Sequence, residues 1–205
     1  MINVCMAGAT GWTGKALSFG LREDNELKLV TAVSRSNSGK DLGEVLESKS
    51  WGVPVFADVS SALENVQVLI DYTAHDAVKA NILLGIERGV HGIVGTSGLT
   101  AADFADIDAA AKANGVGVVA AGNFAITAAM AQAAALLVAK YIPNWEVIDY
   151  AKAGKPDVPS GTARELAERL SAVQRPNLGY PISDIAGPKE ARGADVDGTR
   201  VHSVR

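Results

Sequence analysis

The sequence holds a single cysteine, Cys5, so no disulfide and no cysteine metal site can be drawn within one chain. Cys5 lies inside the first apolar run, where a buried thiol and a reducing compartment fit it, and a cytoplasmic protein is expected. Aromatics are scarce at 5%, so the core must be assembled from the Ala, Val, Leu and Ile that make up most of the 48% apolar residues. Small aliphatic side chains of this kind suit parallel strands covered by helices. No basic run or stripe is present and the net charge is −4, which argues against nucleic acid as the main partner and points to small ligands. Long hydrophobic runs are missing as well. The most apolar stretch, residues 128–139, includes Gln132, falls well short of the ~20 apolar residues needed to span a bilayer, and reads as a buried helix. The opening Ile2-Asn3-Val4-Cys5-Met6 has neither the basic flank nor the apolar region of a signal peptide, so secretion is not expected.

What is present is a rhythm. Short β-rich runs at 2–6, 27–33, 68–72, 92–94 and 117–121 alternate with stretches at 12–22, 77–87 and 101–111 whose apolar residues recur at three-to-four spacing. This βαβ pattern predicts an α/β fold, a doubly wound parallel sheet of the Rossmann type, over residues 1–124. After Phe124 the pattern changes to an Ala-rich helix, a strand over 145–150, a Pro/Gly loop at 154–161, another helix beginning near Ser160 or Gly161, and a final extended run. A second, smaller mixed α/β domain is therefore expected over residues 125–205. The terminal Arg200-Val201-His202-Ser203-Val204-Arg205 reads as a strand in progress, and a continuation is expected beyond it.

The first strand runs into Gly8-x-x-Gly11-x-x-Gly14 and then a helix. Such a turn lets backbone N–H groups approach a pyrophosphate that side chains would block. Thr10, Trp12 and Thr13 lie on the same turn and are assigned to the cofactor with the three glycines. A glycine-rich turn without a ligand is the alternative. At the end of the second strand, where an acidic residue would take the ribose 2′-OH of NAD, the chain reads Ser34-Arg35-Ser36-Asn37-Ser38. Arg35 would pair with a 2′-phosphate, so NADPH is favoured, with NADH still open and a solvated arginine as the plainer reading.

Further polar residues stand where a Rossmann sheet gathers ligands: Tyr72-Thr73, Gly95-Thr96-Ser97-Gly98 and Gly122-Asn123-Phe124. With Lys155-Pro156-Asp157-Val158-Pro159-Ser160-Gly161-Thr162, and with Arg192-Gly193 and 198–205 after it, they resemble in order the dihydrodipicolinate reductases of diaminopimelate and lysine biosynthesis. The resemblance runs from Gly8 to Arg205. It implies NADPH-dependent reduction of a cyclic imine dicarboxylate, 4-hydroxy-tetrahydrodipicolinate, in a homotetramer. By that resemblance Gly8, Gly11 and Gly14 hold the pyrophosphate, Ser34 and Arg35 the adenosine end, and Tyr72, Thr73, Gly95 and Thr96 the nicotinamide side. Asn123 and Phe124 line the cleft between the domains, and Ser160, Gly161 and Thr162 bind a substrate carboxylate, as free N–H groups and a helix dipole allow. An ordinary N-cap by Ser160 is the alternative there. Lys155 is assigned as proton donor, since imine reduction takes a hydride from the nicotinamide and a proton from the protein. The resemblance also implies a segment after Arg205 that returns to the first domain.

One departure stands out. The family places a His-His pair shortly before this lysine, and this chain has Ala151 and Lys152 there. Either Lys152 and Lys155 share the acid–base work or the substrate differs; Lys152 as a solvated residue remains open. His75 and His91 read as turn or surface residues. A short-chain dehydrogenase shares the glycine turn, but its Tyr-x-x-x-Lys pair is missing at Tyr72, Tyr141, Tyr150 and Tyr180. A dinucleotide-binding protein without catalysis is a further alternative.

Overall fold

The computed structural model describes residues 1–205, which form two compact units, Met1–Ala121 and Gly122–Arg205. In the first unit the chain runs β1 (Ile2–Ala7), α1 (Trp12–Glu23), β2 (Leu27–Val33), α2 (Leu42–Glu47), β3 (Val55–Phe56), β4 (Val68–Asp71), α3 (Val78–Glu87), β5 (His91–Val94), α4 (Ala101–Asn114) and β6 (Val118–Ala120). The six strands pair in the order β3-β2-β1-β4-β5-β6, every pair parallel. The chain first builds outward from β1 to β3 and then starts again on the other side of β1 with β4. Ligands of such sheets bind at this reversal, beyond the strand C-termini.

Strand alternation places the core on both faces. Cys5 and Ala7 of β1 face one cluster, with Val78, Ile82 and Ile86 of α3 and Ile107 and Ala111 of α4; Val4 and Met6 face the other, with Leu21 of α1 and Leu42 of α2. Burial on both faces explains why these strands read as continuous apolar runs. The Cys5 thiol is fully buried, and burial pushes its pKa up to about 11. Helix α4 is closed at both ends, by a Thr100/Asp103 capping box and by Gly115 in the left-handed region.

The second unit contains α5 (Ile126–Val138), β7 (Val147–Tyr150), α6 (Gly161–Val173), β8 (Ala194–Val196) and β9 (Thr199–Val204). Its three-stranded sheet has the order β7-β9-β8, with β9 parallel to β7 and antiparallel to β8. Ala163, Ala167 and Leu170 of α6 pack on Val147 and Val201. The opposite face leaves Ile148 72% and Tyr150 83% exposed.

Three features differ from the sequence reading. Helix α5 was expected to be buried, yet none of its residues is; Ile126, Met130, Leu137 and Val138 are exposed. It lies at the surface of a small lobe, and only Ala135 and Leu136 of its residues meet the core. Helix α2 and strand β3 were not anticipated, because six and two residues are too short to show a period. The β8–β9 hairpin also went unread, although its Asp197-Gly198 turn, both residues at positive φ, carries a strong two-residue hairpin signal. No helix is long and apolar enough to cross a membrane.

Candidate active site

The turn after β1 is built so that no side chain can enter it. Gly8 has φ +80°, and a Cβ there would lie 2.2 Å from the Tyr72 carbonyl oxygen. A Cβ on Gly14 would lie 2.0 Å from the Gly8 carbonyl oxygen. The turn is tied by Gly8 and Ala9 N–H donating to the Val33 carbonyl and by Gly11 N–H donating to that of Gly8. Gly11 is the N-cap of α1 and supplies no side-chain cap, and the first turn of α1 holds no acidic residue. The start of α1 is therefore open to an anion, with the helix dipole behind it.

Thr10 and Ser34 join this turn to the end of β2 through their hydroxyls, 2.8 Å apart, while Arg35 beside them is exposed. Trp12 is 93% exposed, and Thr13 is exposed as well. The ends of β4 and β5 are organised by a residue that sequence reasoning missed. Asp71, fully buried, accepts from Thr73 N–H at 2.9 Å, Thr73 Oγ1 at 2.7 Å, Thr96 Oγ1 at 2.8 Å and Asn81 Nδ2 at 2.8 Å. Its carbonyl also accepts from Gly95 N–H. Gly95 leaves room for the Tyr72 ring, because a Cβ there would lie 2.0 Å from it. Tyr72, Thr73, Gly95 and Thr96 are thus brought together at two adjacent strand ends. A single acid closing the apolar run Val68-Leu69-Ile70 was the available signal.

These observations fit a dinucleotide. The turn is held so close to backbone that Gly8 and Gly14 tolerate no Cβ, its helix start is open, and it lies at the strand reversal of the sheet.

The second unit holds the remaining candidates. Asn123 Oδ1 accepts from Ala125 N–H at 2.8 Å, and Phe124 is 46% exposed. In the loop before α6, Lys155 Nζ lies 2.9 Å from Asp157 Oδ1. Burial would raise the Asp157 pKa, but the hydrogen bond from Lys155 and backbone N–H groups hold it below the usual carboxylate range. Lys152 is exposed, and its carbonyl accepts from Lys155 N–H. Ser160 is the N-cap of α6: its hydroxyl accepts from Ala163 N–H, and Gly161 and Thr162 open the helix. Thr162 Oγ1 donates to the Gly122 carbonyl at 3.4 Å. His75 and His91 are exposed; His202 pairs with Glu146 at 2.6 Å.

A second buried carboxylate, also missed in the sequence, anchors this loop. Asp149 accepts from Ser160 N–H at 2.8 Å, Ser160 Oγ at 2.7 Å, Ser203 Oγ at 3.2 Å and Arg205 Nη2 at 2.9 Å. Burial opposes its ionisation, yet the Ser160 and Arg205 hydrogen bonds bring its pKa down to about 2.

Comparison with known proteins decides the family. Residues 2–124 match the family described as "Dihydrodipicolinate reductase, N-terminus", and residues 122–205 match "Dihydrodipicolinate reductase, C-terminus". The chain belongs to the dihydrodipicolinate reductase family. This reductase is 33% identical over 207 residues to a 4-hydroxy-tetrahydrodipicolinate reductase of Bacillus cereus, covering 100% of this chain and 77% of the relative. A protein of the same name from Bacillus pumilus is 34% identical over 209 residues, with the same coverage. Among solved structures, a dipicolinate-bound dihydrodipicolinate reductase from Paenisporosarcina sp. TG-14 superposes with a TM-score of 0.74 at 30% identity, covering 100% of this chain and 78% of that one. An NAD complex of a protein from gentamicin A biosynthesis, at 19% identity and a TM-score of 0.63, shares the fold alone. This reductase is an oxidoreductase with a nicotinamide-dinucleotide-binding fold.

Proposed function

We propose that this chain reduces 4-hydroxy-tetrahydrodipicolinate with NADPH, in the route to diaminopimelate and lysine. The observation that carries the reading is the glycine cradle at Gly8 and Gly14, where a Cβ would meet backbone, in a chain that matches both halves of the reductase family. When bound, the dinucleotide supplies the hydride from C4 of its nicotinamide. Everything else falls to the residues of the chain.

Gly8, Gly11 and Gly14, with Thr10, Trp12 and Thr13 on the same turn, hold the pyrophosphate against the start of α1. Ser34 and Arg35 take the adenosine end, and an exposed guanidinium with no acidic neighbour from 34 to 38 favours the 2′-phosphate. Tyr72, Thr73, Gly95 and Thr96 flank the nicotinamide, with Asn123 and Phe124 as further cofactor contacts. The start of α6, which Ser160 caps and Gly161 and Thr162 open, receives a substrate carboxylate. Lys155 donates the proton; its Nζ lies 2.9 Å from Asp157 Oδ1, which orients it in the loop before α6. Lys152 supplies a second positive charge where the family has histidine.

The exposed face at Ile148 and Tyr150 supports a homo-oligomer, a tetramer by family resemblance, and a cytoplasmic location accords with the lone buried Cys5. Ala151 and Lys152 favour one second reading, reduction of a different cyclic imine dicarboxylate by the same residues. A substrate panel with NADPH oxidation followed by absorbance separates the two. Turnover of the dihydrodipicolinate-type substrate above all others supports the first reading, and preference for another imine supports the second.

A further inference from the structure

Asp149 sits in β7 and its side chain accepts four hydrogen bonds. Its Oδ1 accepts from Ser160 Oγ; its Oδ2 accepts from Ser160 N–H, Ser203 Oγ and Arg205 Nη2. The donors come from the start of α6 and from the end of β9, so one carboxylate in β7 ties these two segments together. Three donors on Oδ2 and one on Oδ1 commit most of the carboxylate's roughly four lone-pair sites within the chain. Its charge is balanced by Arg205, whose Nη2 also donates to the Asp157 carbonyl at 2.6 Å and whose Nη1 donates to the Asp149 carbonyl at 3.2 Å.

The consequence falls on Ser160. Both of its polar hydrogens, N–H and Oγ–H, point to Asp149, and its Oγ lone pair takes Ala163 N–H. Ser160 therefore has no hydrogen left for a substrate carboxylate. Of the first-turn N–H groups of α6, those left for an external anion are Gly161, which also faces Asp157, and Thr162. We propose that Asp149 is a positioning residue for the substrate carboxylate: it fixes Ser160 so that Gly161 and Thr162 present their N–H groups, while Arg205 cancels the charge that would otherwise repel a dicarboxylate. Ser160 is then part of the frame and not a direct ligand. This rests on the reductase reading above.

The test compares the parent with Asp149→Asn, Asp149→Glu and Ser160→Ala. Each is measured for KM and kcat, for NADPH Kd, and for binding of dipicolinate by calorimetry, with circular dichroism as the check on folding. An amide places N–H groups against donors, so Asp149→Asn is expected to raise KM and the dipicolinate Kd by about tenfold or more, the scale of a lost charge-assisted bond. Its kcat and NADPH Kd are expected to stay within about threefold of the parent, and Asp149→Glu, which keeps the charge, to recover most of the loss. Ser160→Ala, which leaves the Asp149–Arg205 pair in place, is expected to show the same split more weakly, and it decides the matter should Asp149→Asn fail to fold. Parental KM and dipicolinate affinity in folded Asp149→Asn, or in Ser160→Ala, would overturn the positioning role alone. A parent that neither turns over nor binds dipicolinate would overturn the reductase reading beneath it.

Discussion

Gly8 and Tyr72 touch through backbone: a Cβ on the first would lie 2.2 Å from the carbonyl oxygen of the second. The end of β1 therefore approaches the end of β4 only because position 8 has no side chain, and its φ of +80° adds a second demand for glycine. Gly8→Ala is expected to destabilise the first unit by about 1–3 kcal/mol through strain. NADPH affinity should fall at least about tenfold as the cradle distorts. Thermal denaturation with and without NADPH checks both, and an alanine variant with parental melting and affinity would count against the cradle.

Arg35 lies exposed at the end of β2, next to the Thr10–Ser34 hydroxyl pair. Arg35→Ala is expected to weaken NADPH by roughly 1–3 kcal/mol, the range of a lost charge-assisted pair, and to leave NADH almost unchanged. Equal affinity of the parent for both cofactors, by fluorescence titration, would remove the 2′-phosphate assignment.

Asp71 holds Thr73, Asn81 and Thr96 from a fully buried position. Asp71→Ala leaves those donors without their acceptor, and a cost of about 2–4 kcal/mol in urea unfolding is expected from the unsatisfied groups and the cavity. A variant within 0.5 kcal/mol of the parent, roughly the effect of an ordinary surface change, would show that the network contributes little.

Asp149 gives the molecule a pH signature. Its folded pKa of about 2 lies below the ~3.9 of an unfolded Asp, so its contribution to stability is complete above the unfolded value and is lost as pH falls through the folded one. The window is roughly pH 5 to 2, and the contribution is of order 2 kcal/mol. Asp149→Asn should therefore be less stable than the parent at neutral pH and should converge towards it in acid. Parallel stability curves for the two proteins across that window would contradict the assignment.

How much of this was legible before the structure follows from the range of each interaction. The Gly8-Gly11-Gly14 turn and the Lys155–Thr162 loop are local patterns, and the long runs of β1 and β2 carry their burial in their own composition. Strand β3 has too few residues to show a period and is recognisable only from its pairing with Ala32 and Val33. The exposure of α5 depends on what surrounds it, which an Ala-rich run does not encode. Asp71 and Asp149 went unnoticed for the same reason: each is one acid in an apolar strand, and its partners, Thr96 and Arg205, lie 25 and 56 residues away.

The proposed reduction depends on Lys155, whose Nζ stands 2.9 Å from Asp157 Oδ1 in the loop that leads to α6. The most direct measurement is NADPH oxidation by the parent and by Lys155→Ala on the dihydrodipicolinate-type substrate, with NADPH Kd measured alongside. A general acid contributes about 10²–10⁴-fold, so kcat should fall by that factor in Lys155→Ala with the NADPH Kd almost unchanged. Lys152→Ala in the same assay shows whether the second ammonium takes part. Wild-type turnover by Lys155→Ala would contradict the proton-donor assignment, and no turnover by the parent would contradict the proposed reaction itself.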